Sequence, residues 1–367
     1  MLSQFVLDYY PALRETIPSL RHLVFYLGVF ASLCCLLIIV QILLMRAVIK
    51  RRKRQKAEFR KIWRPVFLQA VDDKLNIAEI PELDFRHRKI FLSEWNRLME
   101  TIDGNPRENL RKIAFQMHID LYIKAHLKIR LSTTRILCIV AAGHLKQIDC
   151  WDTLEQLLSE KDSSTSMLAG RALIQLDPKK AIDKVLKIAT SRADWTQIWL
   201  DKLLLEVGPK VATKPVADVT RIALAEENSE RLLSIVPLFN SIEKASAAFL
   251  LNEILQAPLG DKIVSRCLQT LQDREFADLA RRFIHYPRWH VRVHAASALG
   301  RLGDERDIYS LISLLKDKQW WVRFRAAEAL SQLKGMTPKE FRKIRENVDD
   351  HYARDILDYI IMERAIA

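Results

Sequence analysis

His290 and His294 stand four residues apart, the spacing at which two imidazoles share one face of a helix and can grip one metal ion. A zinc hydrolase built on His-Glu-x-x-His also needs a glutamate directly after the first histidine, and this chain has Val291 there. The acidic residue nearby in sequence that offers a third ligand is Asp304. Two solvated helix histidines are therefore expected, and no metal site. None of the nine histidines precedes a glutamate. Glycine loops that cradle phosphate, the Gly-x-Ser-x-Gly elbow and paired-carboxylate motifs are absent from the sequence. The five cysteines (Cys34, Cys35, Cys138, Cys150, Cys267) are odd in number and form no Cys-x-x-Cys. They suit a reducing compartment better than a disulfide framework. No catalytic residue and no cofactor is expected, so the chain reads as one that binds rather than transforms.

The elements that carry the histidine pair repeat. Residues 289–302 read WHVRVHAASALGRL and residues 320–333 read WWVRFRAAEALSQL, matching at a fixed offset of 31. Trp289 pairs with Trp320, Val291 with Val322, Arg292 with Arg323, Ala295 and Ala296 with Ala326 and Ala327, and Leu302 with Leu333. Weaker copies are AGRALIQL at 169–176 and AAGHL at 141–145, with Leu200–Val207 and Val264–Leu271 in the same phase. An apolar stretch at Asp307–Lys316 precedes the second clear copy, so each period holds two helices. One helix pair cannot bury its apolar face, so pairs must stack into a solenoid. Asp177-Pro178 and Thr337-Pro338-Lys339-Glu340 mark helix starts. Glycine and proline are sparse, at 9 and 12 residues, as suits an α-rich chain.

The pattern V-R-x-x-A-A-x-A-L at 291–299 and 322–330 closely resembles HEAT repeats of the phycobilisome-lyase-like (E-Z) type. The resemblance implies an all-α HEAT-type solenoid of stacked helix pairs. It also brings in relatives that are bilin lyases, deoxyhypusine hydroxylase and plain binding modules. The hydroxylase holds iron through His-Glu pairs, which this chain lacks. Arg292 and Arg323 correspond to the arginine that braces the turn in such repeats, with Asp317 as the partner expected for Arg323. Trp289 and Trp320 are expected to pack on the next repeat, beside Val293 or Phe324 and Ala296 or Ala327. Side chains that differ between the copies are the better binding candidates. On one flank of the second helices these are His290, His294, Arg301, Trp321 and Arg325. In HEAT solenoids that flank lines a partner-binding surface.

Leu23 to Met45 is a run of 23 residues without a charge, about 34 Å as a helix and enough to cross a hydrocarbon core of about 30 Å. A cleaved signal would need a basic start and a shorter run. The net charge of +13 is concentrated just after this run. Arg46, Lys50, Arg51, Arg52, Lys53, Arg54, Lys56, Arg60, Lys61 and Arg64 face only Glu58 within residues 46–64. The positive-inside rule then puts the body in the cytoplasm. The same charges could touch anionic headgroups, and because the excess is local, a nucleic-acid partner is set aside. Phe59, Ile62, Trp63, Val66, Phe67 and Ala70 form a helical stripe that either rests on the membrane or packs on the body, with Pro65 as a break in it.

The resulting plan has a non-cytoplasmic tail at 1–22 and a transmembrane helix at 23–45. A polybasic segment at 46–64, a helical lead-in at 65–130, repeats at 131–335 and capping helices at 336–367 follow. Tyr9, Tyr10 and Tyr26 are candidate interface anchors. The expected function is a single-pass adaptor, in a bacterial inner membrane by resemblance of the repeat subtype. It would hold a cytoplasmic protein or the cytoplasmic face of an envelope, polysaccharide or signalling complex. An enzyme of the bilin-lyase class and a nucleic-acid-binding HEAT-like protein are the alternatives.

Overall fold

A computed structural model describes residues 11–129 and 133–366. Tyr9 and Tyr10 lie outside the described residues, as do the first ten residues of the expected tail. Among the described residues every regular element is a helix, and the chain divides into two units, Met1–Ile119 and Asp120–Ala367.

The first unit is organised by α1, Pro11–Val71, a single helix of 61 residues. It runs without interruption through the apolar stretch, the basic run and Pro65. From Phe25 to Met45 its large apolar side chains stay exposed, and none of the most apolar window is buried by the rest of the chain. Further along, the same helix turns one face inward. Phe59, Trp63, Val66, Phe67 and Ala70 are buried against α2 (Arg88–Thr101) and α3 (Asn105–Gln116). Trp63 meets Phe91 edge to face at 5.0 Å, and Phe59 stacks with Trp63 at 5.9 Å. Of the two readings of this stripe, packing within the body holds, and Pro65 does not break it. Ile62, counted in the stripe, is half exposed on the outer side. Polar links fix the register. The Trp95 indole donates to the Leu110 carbonyl at 2.8 Å, and the Asn109 amide donates to the Ala70 carbonyl and the Asp73 carboxylate.

The second unit is a HEAT-type solenoid of helix pairs. Its elements are α4 (Ile119–Leu127, opening the unit), α5 (Thr133–His144), α6 (Trp151–Leu158), α7 (Ser163–Leu176), α8 (Pro178–Ala189), α9 (Gln197–Val207) and α10 (Pro209–Ala225). Then come α11 (Ser229–Ile235), α12 (Lys244–Gln256), α13 (Asp261–Thr270), α14 (Ala277–Arg281), α15 (Trp289–Leu302), α16 (Ile308–Leu314), α17 (Trp320–Gln332), α18 (Pro338–Asn347) and α19 (His351–Ile366). From α6 with α7 to α18 with α19, each even-numbered helix packs on the odd-numbered one after it. Second helices also pack on second helices: α5 on α7, α13 on α15, α15 on α17 and α17 on α19. The weak sequence copies fall on α5, α7, α9 and α13, all second helices of their pairs. The place between α9 and α13 is taken by α11 and a 3-10 turn, Val236–Ser241, that packs on both.

Small residues set the spacing. Ala295, Ala296 and Ala298 on α15 and Ala326 and Ala327 on α17 have no exposed surface. At Gly300 a β-carbon would lie 2.7 Å from the Ala329 α-carbon, so α15 and α17 touch there through backbone. The expected helix starts are present. The Asp177 carboxylate accepts from the Lys180 amide at 3.1 Å, and Thr337 and Glu340 form a reciprocal capping box.

Candidate protein-binding surface

Each second helix is entered through a short turn, and an arginine holds that turn in both clear copies. Arg292 donates to the carbonyls of Tyr286 at 2.7 Å and Pro287 at 2.9 Å. Arg323 donates in the same way to the Asp317 carbonyl at 2.8 Å. The Asp317 carboxylate, expected to partner Arg323, instead takes two bonds from Arg292 of the preceding pair, at 2.7 and 2.9 Å. It also accepts from the Gln319 amide at 2.9 Å. Burial alone would raise the Asp317 pKa, but the bond from Arg292 and the Gln319 amide outweigh it and hold the carboxyl below its usual range. One residue thus closes its own turn through its backbone and ties it to the previous repeat through its side chain.

Beyond this turn the first helical positions are aromatic. Trp289 is 41% exposed, Trp320 47% and Trp321 54%. Trp289 and Trp320 are therefore only partly covered, and Trp320 faces α19 of the next pair across a groove. They sit at helix starts, ahead of the first buried turn, which is filled by Val291 in one copy and Val322 in the other. Trp320 stacks on Phe324 at 5.1 Å and meets Trp321 edge-on at 4.7 Å, and Phe324 reaches Tyr359 on α19 at 6.1 Å. The Arg323 guanidinium lies 5.5 Å from the centre of the Tyr352 ring. Together Trp320, Trp321, Phe324, Tyr352, Ile356 and Tyr359 line a groove of about 470 Å³ between α17 and α19. Tyr352 and Tyr359 are more than half exposed, so the aromatic surface is open to solvent. Clustered aromatic side chains, each amphipathic and stiff, are what binding hot spots are made of.

The five candidate binding residues all lie on α15 and α17, but they differ in availability. Trp321 is on the groove. Arg325 pairs with Glu328 one turn along its own helix. His290 lies 3.7 Å from Asp261, so Asp261, not Asp304, is the acid near the histidine pair; Asp304 pairs with Arg306 at 2.7 Å. His294 is half-buried beside the Gln269 amide at 3.0 Å, and burial first, then the positive neighbours His290, Arg325 and Arg301, pushes its pKa down. Arg301 reaches back to the Leu268 and Leu271 carbonyls at the end of α13, each at 3.4 Å. Among the described residues no three His, Cys, Asp or Glu side chains converge as a metal site. The groove's Tyr352 and Tyr359 escaped sequence reasoning because the capping helices have no second copy. Their spacing of seven on one helix was the signal available.

The ten basic candidates that follow the apolar stretch are all exposed on α1. Two of them turn inward at their tips, Lys56 at 3.1 Å and Arg60 at 2.9 Å from the Glu94 carboxylate. Arg97 binds the other oxygen of Glu94 at 2.8 Å. Burial pushes the Glu94 pKa up, but the bonds from Arg60, Lys56 and Arg97 overcome this and bring it down to about 2.

The family profile described as HEAT repeats matches residues 250–331, from within α12 to α17. HEAT repeats are thus matched over that segment of the second unit. Among solved structures, an engineered protein matches 85% of this chain and 99% of its own, at 15% identity and a TM-score of 0.31. No curated protein matches the sequence.

Proposed function

We propose that this HEAT-repeat chain is a membrane-tethered scaffold that holds a protein partner on the aromatic groove between α17 and α19, and that it is not an enzyme. The observation that carries the binding reading is the groove itself: six apolar or aromatic side chains converge around about 470 Å³ at the end of the solenoid, whereas exposed apolar residues such as Ile148, Ile198 and Tyr309 are not among those lining it. Such a surface is costly to leave in water and is common where partners dock. Two charged side chains, Arg323 and Asp355, also line it, and Arg323 is already engaged with the Asp317 carbonyl, so apolar anchors of the partner supply most of the contact. Tethering is supported by α1, whose uncharged stretch reaches across a bilayer and is unburied, and whose following basic run orients the body toward the cytoplasm. Confinement to a surface raises the local concentration of scaffold and partner without any catalytic group. The repeat subtype favours a bacterial inner membrane, with Arg46 to Lys56 at the headgroups.

Two measurements test this. Alkaline carbonate washing should leave the chain in the membrane fraction, and its release would end the tethering. Crosslinked capture with the full-length chain should yield a partner whose recovery falls at least tenfold in Trp321→Ala/Tyr359→Ala. Equal recovery would remove the groove as the binding surface. A loss in the control pair Arg325→Glu/His290→Ala with none at the groove would move the site to the polar flank.

A further inference from the structure

A second cavity, of about 370 Å³, lies in the first unit between α1 and α2. Its wall is apolar, with Phe67, Leu68 and Leu98, and Leu68 is 53% exposed. Its rim is basic, with Arg60, Arg64 and Arg97. The carboxylate among the lining residues is Glu94, whose side chain is only 8% exposed and which already holds Lys56, Arg60 and Arg97. Three cations on one carboxylate leave an excess of positive charge and unused N–H donors on both guanidinia. Arg64 adds to it, and among the described residues no carboxylate stands within ion-pair distance of it.

The two halves of this lining ask for one ligand with both properties. A bare inorganic anion would meet the arginines and leave the wall wet; a plain hydrocarbon would do the reverse. A phospholipid has both parts, but depth along the helix argues against it. Arg60 lies about 21 Å and Arg64 about 27 Å along α1 from Arg46, where the apolar stretch has just ended. The polar layer of one leaflet is only about 5–8 Å thick, and an ordinary tilt shortens these distances by less than a tenth. That exclusion of lipid rests on the proposed membrane-crossing reading of α1.

We infer that this cavity binds a short acidic segment of a partner protein, with an apolar side chain against Leu68 and Leu98 and a neighbouring carboxylate shared by Arg60, Arg64 and Arg97. Guanidinium forks suit carboxylates, and the volume falls within the ~300–1,000 Å³ range of ligand pockets. The site belongs to the anchored unit, distinct from the groove on α17 and α19, so the scaffold has one apolar and one acidic-selective contact point.

The test uses the full-length chain in nanodiscs of neutral phosphatidylcholine, panned against a random peptide library on phage. Selected peptides should be rich in Asp or Glu beside Leu, Ile or Phe. Their affinity should fall at least tenfold in Arg64→Glu, severalfold in Arg64→Gln and Leu68→Ser, and progressively with added salt. Arg64 is solvent-exposed, so Arg64→Gln keeps the fold and stands as the readout should Arg64→Glu lose its helical signal. Peptides without acidic bias, or equal binding by Arg64→Gln, would overturn the inference. So would an arginine-dependent signal appearing only with anionic lipid in the disc, which would reassign the pocket to a headgroup. Release by carbonate would remove the anchor reading and with it the depth argument against lipid; the same panning with the full-length chain in detergent and no phospholipid would then decide the acidic-segment reading by itself.

Discussion

Gly300→Ala adds one methyl group where α15 and α17 touch through backbone. The new carbon would sit 2.7 Å from the Ala329 α-carbon and 2.9 Å from its β-carbon. Neither contact can be relieved by a side-chain rotation, so the helices must move apart by several tenths of an ångström. Overpacking costs about 1–3 kcal/mol, and two contacts under 3.0 Å to an α-carbon and a β-carbon put it in the upper part of that range, about 2–3 kcal/mol, while replacing a mid-helix glycine by alanine gains about 1 kcal/mol in helix propensity. The net expectation is a loss of about 1–2 kcal/mol in the repeat unit. At about 2–4 °C per kcal/mol for a unit of this size, the midpoint of the thermal transition falls by about 2–8 °C. Circular dichroism of the full chain in detergent measures it, and hydrogen exchange should show faster opening confined to α15 and α17. Ala329→Gly removes the 2.9 Å clash and leaves the 2.7 Å one. It should therefore rescue part of the loss, a coupling that a double-mutant cycle reads directly. An unchanged or raised midpoint in Gly300→Ala would refute the claim that this glycine sets the spacing of the two helices.

Two other stability tests follow from the ion pairs. Glu94 is held at about 2 when folded against 4.5 otherwise, so its stabilisation is present above about pH 4.5 and is lost as the pH falls toward 2. With Lys56 and Arg60 about half exposed, its worth is discounted to about 1–2 kcal/mol, which Glu94→Gln should cost at pH 7 and not at pH 2.5; a constant difference across that range would refute the role of the charge. Arg292→Ala and Asp317→Ala should couple by about 1–3 kcal/mol in a double-mutant cycle, with Arg292→Ala the worse single change because it also frees the Tyr286 and Pro287 carbonyls; additive losses would show that the bridge between repeats adds nothing.

The solenoid was legible because its packing residues recur. Val291 and Val322, the paired alanines and the following leucines occupy the same phase in both copies, and all of them are buried. Recurrence said less at the tryptophans, which are only about half covered. A repeated phase says that two residues share an environment and not that the environment is the core, and the first position of each helix is a rim. Asp317 does partner Arg323, but through its carbonyl, and its carboxylate goes to Arg292 for a related reason. An offset of 31 relates residues within equivalent repeats, whereas the bond from Arg292 crosses from one repeat to the next. That step needs the stacking geometry, which no single-copy pattern contains. The stripe on Phe59, Trp63 and Phe67 was visible, but its destination was settled only by Phe91 and the rest of α2. The cavity beside it was not visible at all, since Arg64 and Leu98 meet only once the two helices pack.

Along α17 the work of holding the fold and the work proposed for binding fall on different residues. Val322, Ala326, Ala327, Ala329 and Leu330 are all but fully buried and meet α15 and α16, while Trp320 and Trp321 stand half in water at the start of the same helix. A fully buried large side chain carries about 1.5–3 kcal/mol of stability, and a half-exposed one that is already wet in the folded state carries correspondingly less. What Trp321 withholds from folding is still there to be gained when a partner covers it. Substitutions at the groove can therefore change partner affinity by tenfold or more while the solenoid melts almost where it did before. Substitutions at Ala326 or Ala327, five or six residues beyond Trp321, should unfold the repeat before they alter recognition. Separation of the two effects on one helix is the signature that a surface is kept open for contact and not left over from packing.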